Sequence, residues 1–227
     1  MVRTTTHQQQ ELAINLEGLT LYGNLALPLN CRAIVLFVHG SGSSRFSPRN
    51  QQVARAHNDT GLGTLLFDLL TPEEQRIDER TAQHRFDIEM LSRRTIGTID
   101  WVAEQEQTKT MRLGLFGAST GAAAALIAAA YRPQRVGAVV SRGGRPDLAG
   151  EALPDVQAPT LLLVGERDPQ VIALNREASQ QMQATCQLSI IPNASHLFEE
   201  PGTLVRVAQY ARDWFTHYLV SRFVEES

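Results

Sequence analysis

The run Leu113–Ala130, LGLFGASTGAAAALIAAA, constrains this chain more than any other stretch. An apolar strand runs into Gly117-Ala118-Ser119-Thr120-Gly121, and an alanine-rich helix leaves on the other side. G-x-S-x-G between a strand and a helix is the setting of a nucleophile elbow, a turn tight enough to strain the serine and stand its hydroxyl out of the sheet. A side chain at either glycine would collide with the neighbouring strand or helix. The pentapeptide alone recurs by chance, so its weight comes from the flanking strand and helix.

The remaining elements supply the frame. Residues 12–17 and 19–27 alternate apolar and polar around Gly18, which predicts a hairpin. From Ala33, AIVLFVHG is a continuous apolar run, the mark of a strand buried on both faces. Ser47-Pro48 caps and opens a helix to about Asp59, and GTLLFDLL (63–70) is the next buried strand. The charged segment 71–85, beginning TPEEQ, reads as a surface loop with a helical turn. Ile88, Leu91, Thr95, Ile99 and Val102 then share one face of a long helix. The pattern continues as strand 111–117, helix 120–131, strand 136–141, a loop over 142–159, strand 160–165, helix 170–182 and strand 187–192. A last amphipathic helix carries Leu204 to Tyr218. This alternation predicts an α/β fold: a mostly parallel central sheet with an antiparallel N-terminal hairpin and helices on both faces. No repeat or composition break divides residues 1–227, so one domain is expected, with a polar, poorly ordered N-terminus over 1–10.

Composition limits the partners. With 227 residues, 43% of them hydrophobic, the chain can build a core without staples. A net charge of −3 gives no reason to expect nucleic acid or an anionic membrane. Cys31 and Cys186 form neither a metal-ligand spacing nor a disulfide framework, and no metal or cofactor is expected. The first ten residues lack the apolar core of a signal peptide, and no stretch approaches the ~20 apolar residues of a membrane span. The expectation is a cytoplasmic protein with a small-molecule substrate and an open question of oligomeric state.

A nucleophilic Ser119 needs a base to take its proton and a third group to orient that base. The fold implied by the elbow sets the chain order serine, acid, histidine. His196 follows the strand LSIIP in NASHLFEEPG, whereas His217 sits inside the last helix and His7, His39, His57 and His84 precede the serine. Asp168 stands in GERDPQV just beyond a strand, with Pro169 fixing the turn; Glu166 is its rival, and helix capping is its bland alternative. An oxyanion hole requires backbone N–H groups aimed at the developing charge. Thr120 supplies one, and HGSGSS (His39–Ser44), after the buried strand, offers Ser41 with Gly42 as alternative. Arg142 and Arg145, in SRGGRPD, lie at the strand edge where open α/β sheets bind ligands, and Arg45 lies in the oxyanion loop. They are candidates to pair with a carboxylate or phosphate on the substrate, the alternative being surface ion pairs with Asp147, Glu166 or the acidic 73–79 run.

Taken in order, HGSG, GASTG, GERD and SHLFEEPG resemble an α/β-hydrolase over nearly the whole chain. The chain is most similar to the small, capless, dienelactone hydrolase-like branch. That resemblance implies an acyl-enzyme mechanism through Ser119, Asp168 and His196, with Ser41 and Thr120 holding the oxyanion. The namesake enzymes use a cysteine nucleophile where this chain has Ser119, which favours serine esterase chemistry on a carboxylic ester, lactone or thioester. The connection from Arg142 to Pro159 is too short for a lid domain, so an open site bounded partly by 71–85 is expected. The alternatives are a small peptidase or acylaminoacyl hydrolase, and a non-catalytic ligand-binding protein on the same scaffold.

Overall fold

The computed structural model describes residues 9–221. Strands β1 (Gln10–Leu16) and β2 (Leu19–Ala26) form the expected antiparallel hairpin, closing on Leu16 opposite Leu19. Gly18 takes φ +79° in the turn, a conformation that favours glycine. Residues 1–8 of the polar N-terminal segment lie outside the described residues, whereas Gln10 already belongs to β1.

The chain continues as β3 (Ala33–Val38), α1 (Pro48–Asn58), β4 (Gly63–Phe67), α2 (Pro72–Thr81), α3 (Ile88–Glu104) and β5 (Arg112–Ala118). It ends with α4 (Thr120–Tyr131), β6 (Val136–Arg142), β7 (Thr160–Gly165), α5 (Pro169–Gln181), β8 (Cys186–Ile191) and α6 (Thr203–Phe215). The eight strands form one sheet in the order β1-β2-β4-β3-β5-β6-β7-β8, parallel from β4 to β8. The central strands carry apolar residues on both faces because helices cover both. Ile34, Leu36 and Val38 of β3 pack toward α3 and α4, while Ala33, Val35 and Phe37 pack toward α1 and α6. Each such large side chain contributes about 1.5–3 kcal/mol by leaving water. Helix α4 is apolar all round and buried along almost its whole length, and its alanines let it lie close to the sheet.

Two segments differ from the sequence expectation. Residues 72–81 are a complete helix rather than a loop with one turn. Thr71 Oγ1 accepts the Glu74 N–H at 3.3 Å and Glu74 Oε2 accepts the Thr71 N–H at 2.8 Å, a reciprocal capping box with Pro72 in the first turn. Arg94 of α3 also grips both Glu74 oxygens, at 2.6 and 2.7 Å, so the charges that resemble a solvated loop are partners across a helix pair. The connection after β6 contains a 3₁₀ stretch, Pro146–Asp155, kinked at Gly150.

His57, on α1, is fully buried among the rings of Phe37, Phe116 and Phe215, and neither ring nitrogen has a hydrogen-bond partner. Burial, with repulsion from Arg212, drives it down to about 3 from 6.5. The folded chain keeps His57 neutral while the unfolded chain takes up its proton, so stability is lost as pH falls from 6.5 through 3. The loss runs up to about 1.4 kcal/mol per pH unit. For Glu74 burial works against ionisation, but the Arg94 and Thr71 contacts outweigh it and bring it to about 2 from 4.5, so its contribution fades only below pH 4.5. His57→Phe should therefore flatten the pH dependence of urea-unfolding stability between 4.5 and 6.5; an unchanged slope would contradict this account.

Candidate active site

Ser119 sits between β5 and α4 at φ +51°, ψ −123°, a strained conformation for an L-residue. Its N–H donates to the Arg142 carbonyl at 3.3 Å, and its own carbonyl accepts from Arg145 N–H at 3.1 Å. The packing around it leaves no room for side chains. A Cβ on Gly117 would lie 2.5 Å from Ala122 Cα, and one on Gly121 would run into the carbonyls of Val38 and His39. A Cβ on Gly40 would stand 2.9 Å from Ser119 Cβ. Strand, helix and the loop after β3 therefore meet at one point with a glycine from each.

Asp168 occupies the N-cap position of α5, yet its side chain makes no capping hydrogen bond. Its Oδ2 lies 2.7 Å from His196 Nδ1, the structure thus bringing together the predicted acid and base. Glu166, the rival acid, accepts the Asn193 N–H at 2.7 Å and so holds the histidine-bearing loop. Arg167 N–H donates to the Ala194 carbonyl at 2.9 Å, and Glu200 accepts the Ser195 N–H at 3.0 Å. A Cβ on Gly165 would strike the carbonyls of Ala194 and Ser195, so the acid and histidine loops are packed backbone to backbone. His217 lies in a π-turn (Thr216–Val220) after α6, edge-on to Tyr218.

Ser41 N–H donates to Thr120 Oγ1 at 3.0 Å, which puts the two predicted oxyanion residues side by side. His39, which chain order excludes as the base, positions this loop. Leu69 N–H donates to its Nε2 at 3.0 Å, leaving Nδ1 to donate to the Gly40 carbonyl at 3.0 Å. Burial lowers the His39 pKa, against the Gly40 contact and the charge of Asp68, and so favours the neutral ring. Arg85 reaches the same loop. Asp78 holds its Nε at 2.7 Å, and its Nη1 lies 3.3 Å from where a Gly42 Cβ would stand. The segment 71–85 thus borders the loop after β3.

The three candidate arginines separate. Arg45 Nη1 donates to Asp68 at 2.8 Å and Nη2 to Glu11 at 2.9 Å, with its guanidinium 4.5 Å from the Phe46 ring centre. Arg145 donates twice to Asp147, at 2.9 and 2.7 Å. Arg142 donates from Nη2 to Asn50 Oδ1 at 3.3 Å, while its buried Nε and Nη1 have no hydrogen-bond partner. Burial, then the charge of Arg49, lowers it to about 10. Among the described residues, no cluster of three or more His, Cys, Asp or Glu suits a metal ion, and no helix is long and apolar enough to cross a membrane.

The model of the dienelactone hydrolase family matches residues 26–219, a span that includes Ser41, Ser119, Asp168 and His196. The chain belongs to the dienelactone hydrolase family. A solved dienelactone hydrolase from Anabaena variabilis is 55% identical, covers 94% of this chain and 99% of its own, and superposes with a TM-score of 0.93. Est1E from Butyrivibrio proteoclasticus, at 16% identity, shares the fold with a TM-score of 0.77 over 93% of this chain and 99% of its own. Two Mycobacterium tuberculosis proteins named putative phosphoribosyl transferases are 51% identical over 212 residues, 93% of this chain. The match spans 47% of each, so this family member corresponds to less than half of those relatives.

The first glycine after β6 supports the histidine, a role that the sequence hides among the arginines of SRGGRPD. Gly143 has φ +52°, and a Cβ there would lie 3.1 Å from the His196 carbonyl and 3.3 Å from the Phe198 ring. Gly143→Ala should cost about 1–2 kcal/mol from backbone conformation alone and displace His196. Thermal unfolding should report the first effect, and the low-field Nδ1–H resonance of His196 the second; an unchanged resonance would show that Gly143 does not set the ring.

Proposed function

We propose that the chain is a serine hydrolase that cleaves a carboxylic ester, lactone or thioester of a small substrate through an acyl-enzyme. The observations that carry this reading are the 2.7 Å contact of His196 Nδ1 with Asp168 and the strained Ser119, whose N–H donates to Arg142, the residue before the Gly143 that lies under His196. With its Nδ1 proton directed at Asp168, His196 keeps Nε2 free to accept the Ser119 proton as Oγ attacks the carbonyl carbon. The C–O or C–S bond then breaks, the leaving group takes the proton from His196, and water repeats the sequence on the acyl-enzyme. Thr120 N–H, in the first turn of α4, has no intrahelical partner and lies at the positive end of the helix dipole. Ser41 N–H is the second oxyanion donor; substrate oxygen replaces Thr120 Oγ1 as its acceptor.

The Anabaena relative's name supports the same chemistry, and the serine at 119 favours esters broadly over one lactone. The transferase name of the mycobacterial relatives belongs to proteins of which this chain matches less than half. Arg45 and Arg145 already have carboxylate partners, so recognition of an anionic substrate group falls to Arg142.

A fluorophosphonate probe should label the wild type and leave Ser119→Ala and His196→Ala unlabelled, with all three folded by circular dichroism. Labelling of the Ser119→Ala variant, or none of the wild type, would overturn the proposal. Thr120→Ser should keep the acceptor for Ser41 N–H and near-wild-type turnover. Thr120→Val should lower kcat, by less than the roughly 10²–10³-fold loss of a whole oxyanion donor, with little change in KM. Equal kcat in the two variants would remove the hydroxyl from the scheme.

A further inference from the structure

One peptide unit, Gly40–Ser41, joins two groups described separately above. Its N–H is the proposed oxyanion donor of Ser41, and its carbonyl is the one that His39 Nδ1 meets at 3.0 Å. A peptide unit is planar, with N–H and C=O directed oppositely, so whatever holds the carbonyl also aims the N–H.

The carbonyl has two donors. Ser43 N–H reaches it at 3.2 Å and closes a turn over Gly42, whose φ is +67°. That contact lies within the loop and moves with it, whereas His39 ties the peptide to the sheet. Leu69 N–H, just after β4, donates to His39 Nε2 at 3.0 Å. A backbone N–H only donates and a carbonyl only accepts, so the two partners select the neutral ring with its proton on Nδ1. At 6% exposure the ring has almost no water with which to replace either partner. Leu69 is itself held, because its carbonyl accepts from Arg94 Nη1 at 2.6 Å. Asp68 beside it accepts the Arg45 N–H at 2.8 Å, so the segment after β4 fixes both ends of the stretch 39–45. A rotation of the Gly40–Ser41 peptide would carry Ser41 N–H away from Thr120 Oγ1, which it meets at 3.0 Å.

We propose that His39 is a positioning residue for the oxyanion hole: its Nδ1–H fixes the plane of the Gly40–Ser41 peptide and so aims Ser41 N–H at the substrate oxygen. The chemistry rests on the serine hydrolase reading, but the hold on the peptide exists without substrate. A preorganised donor acts in the transition state, so the signature falls on kcat rather than KM.

Two near-isosteric changes separate the ring's contacts. His39→Asn sets an amide N–H near Nδ1 and keeps the Gly40 contact; His39→Gln sets an amide oxygen near Nε2 and keeps the Leu69 contact. Each gives up one buried hydrogen bond, so their thermal stabilities should fall alike. With 4-nitrophenyl acetate, His39→Gln should lower kcat about tenfold or more, short of the roughly 10²–10³-fold of a lost oxyanion donor, at nearly constant KM. His39→Asn should hold kcat within about threefold of wild type. Amide hydrogen exchange at Ser41, followed by NMR without substrate, should quicken in His39→Gln and stay slow in His39→Asn. In the unmodified protein, the ring nitrogen shifts of His39 should show a proton on Nδ1 and none on Nε2. Equal kcat in the two variants, unaltered Ser41 exchange in His39→Gln, or the opposite ring tautomer would each overturn the assignment. A wild type with neither turnover nor fluorophosphonate labelling, but with the exchange difference intact, would remove the hydrolytic reading and leave the hold on the peptide standing.

Discussion

The close approach of α4 to the ends of β3 and β5 is the constraint on which the site depends. Gly121 lies against the carbonyls of Val38 and His39, and Gly117 against Ala122, at separations that no Cβ tolerates. Closing that gap forces the one residue between strand and helix into a left-handed conformation, and that residue is Ser119. The same approach sets the first N–H groups of a buried helix beside the loop after β3. Strain at Ser119 and the placement of Thr120 beside Ser41 are thus one packing event. The alanines of α4 permit it, because larger side chains would hold the helix away from the sheet.

The acid and the histidine depend on a different device. Their loops follow neighbouring parallel strands, β7 and β8, and are joined by backbone hydrogen bonds and by the Glu166 and Glu200 carboxylates. Asp168 stands at a helix start where an aspartate ordinarily caps the backbone, yet it is free of that duty and faces His196 instead. Strand ends tied in this way hold Asp168 and His196 against each other.

The parts of this arrangement written in short spacings were legible in the sequence. The elbow glycines, the buried strand before HGSG and the strand ends before Asp168 and His196 each carry their meaning within a few residues. Roles that depend on partners distant in the chain were not. Nothing near His39 announces that Leu69 N–H will meet its ring, and nothing in SRGGRPD says that Gly143 lies under His196. The arginines illustrate the same limit: Arg45 and Arg142 look alike in sequence, and only folding gives one of them two carboxylates and the other the Asn50 amide oxygen. Helix α2 is an intermediate case. Its T-x-x-E cap is local, but the Arg94 grip that turns its charges into structure is not.

Helix α2 adds no strand to the sheet and is held by two charge clamps, Glu74–Arg94 and Asp78–Arg85. Glu73, Arg76, Glu79 and Arg80 on it are exposed, and Arg85 beyond its end lies near Gly42 in the loop after β3. The clamps fix α2 from outside the sheet, whereas the turn at Ser119 is closed by Gly117, Gly121 and Gly40 and takes no side chain from α2.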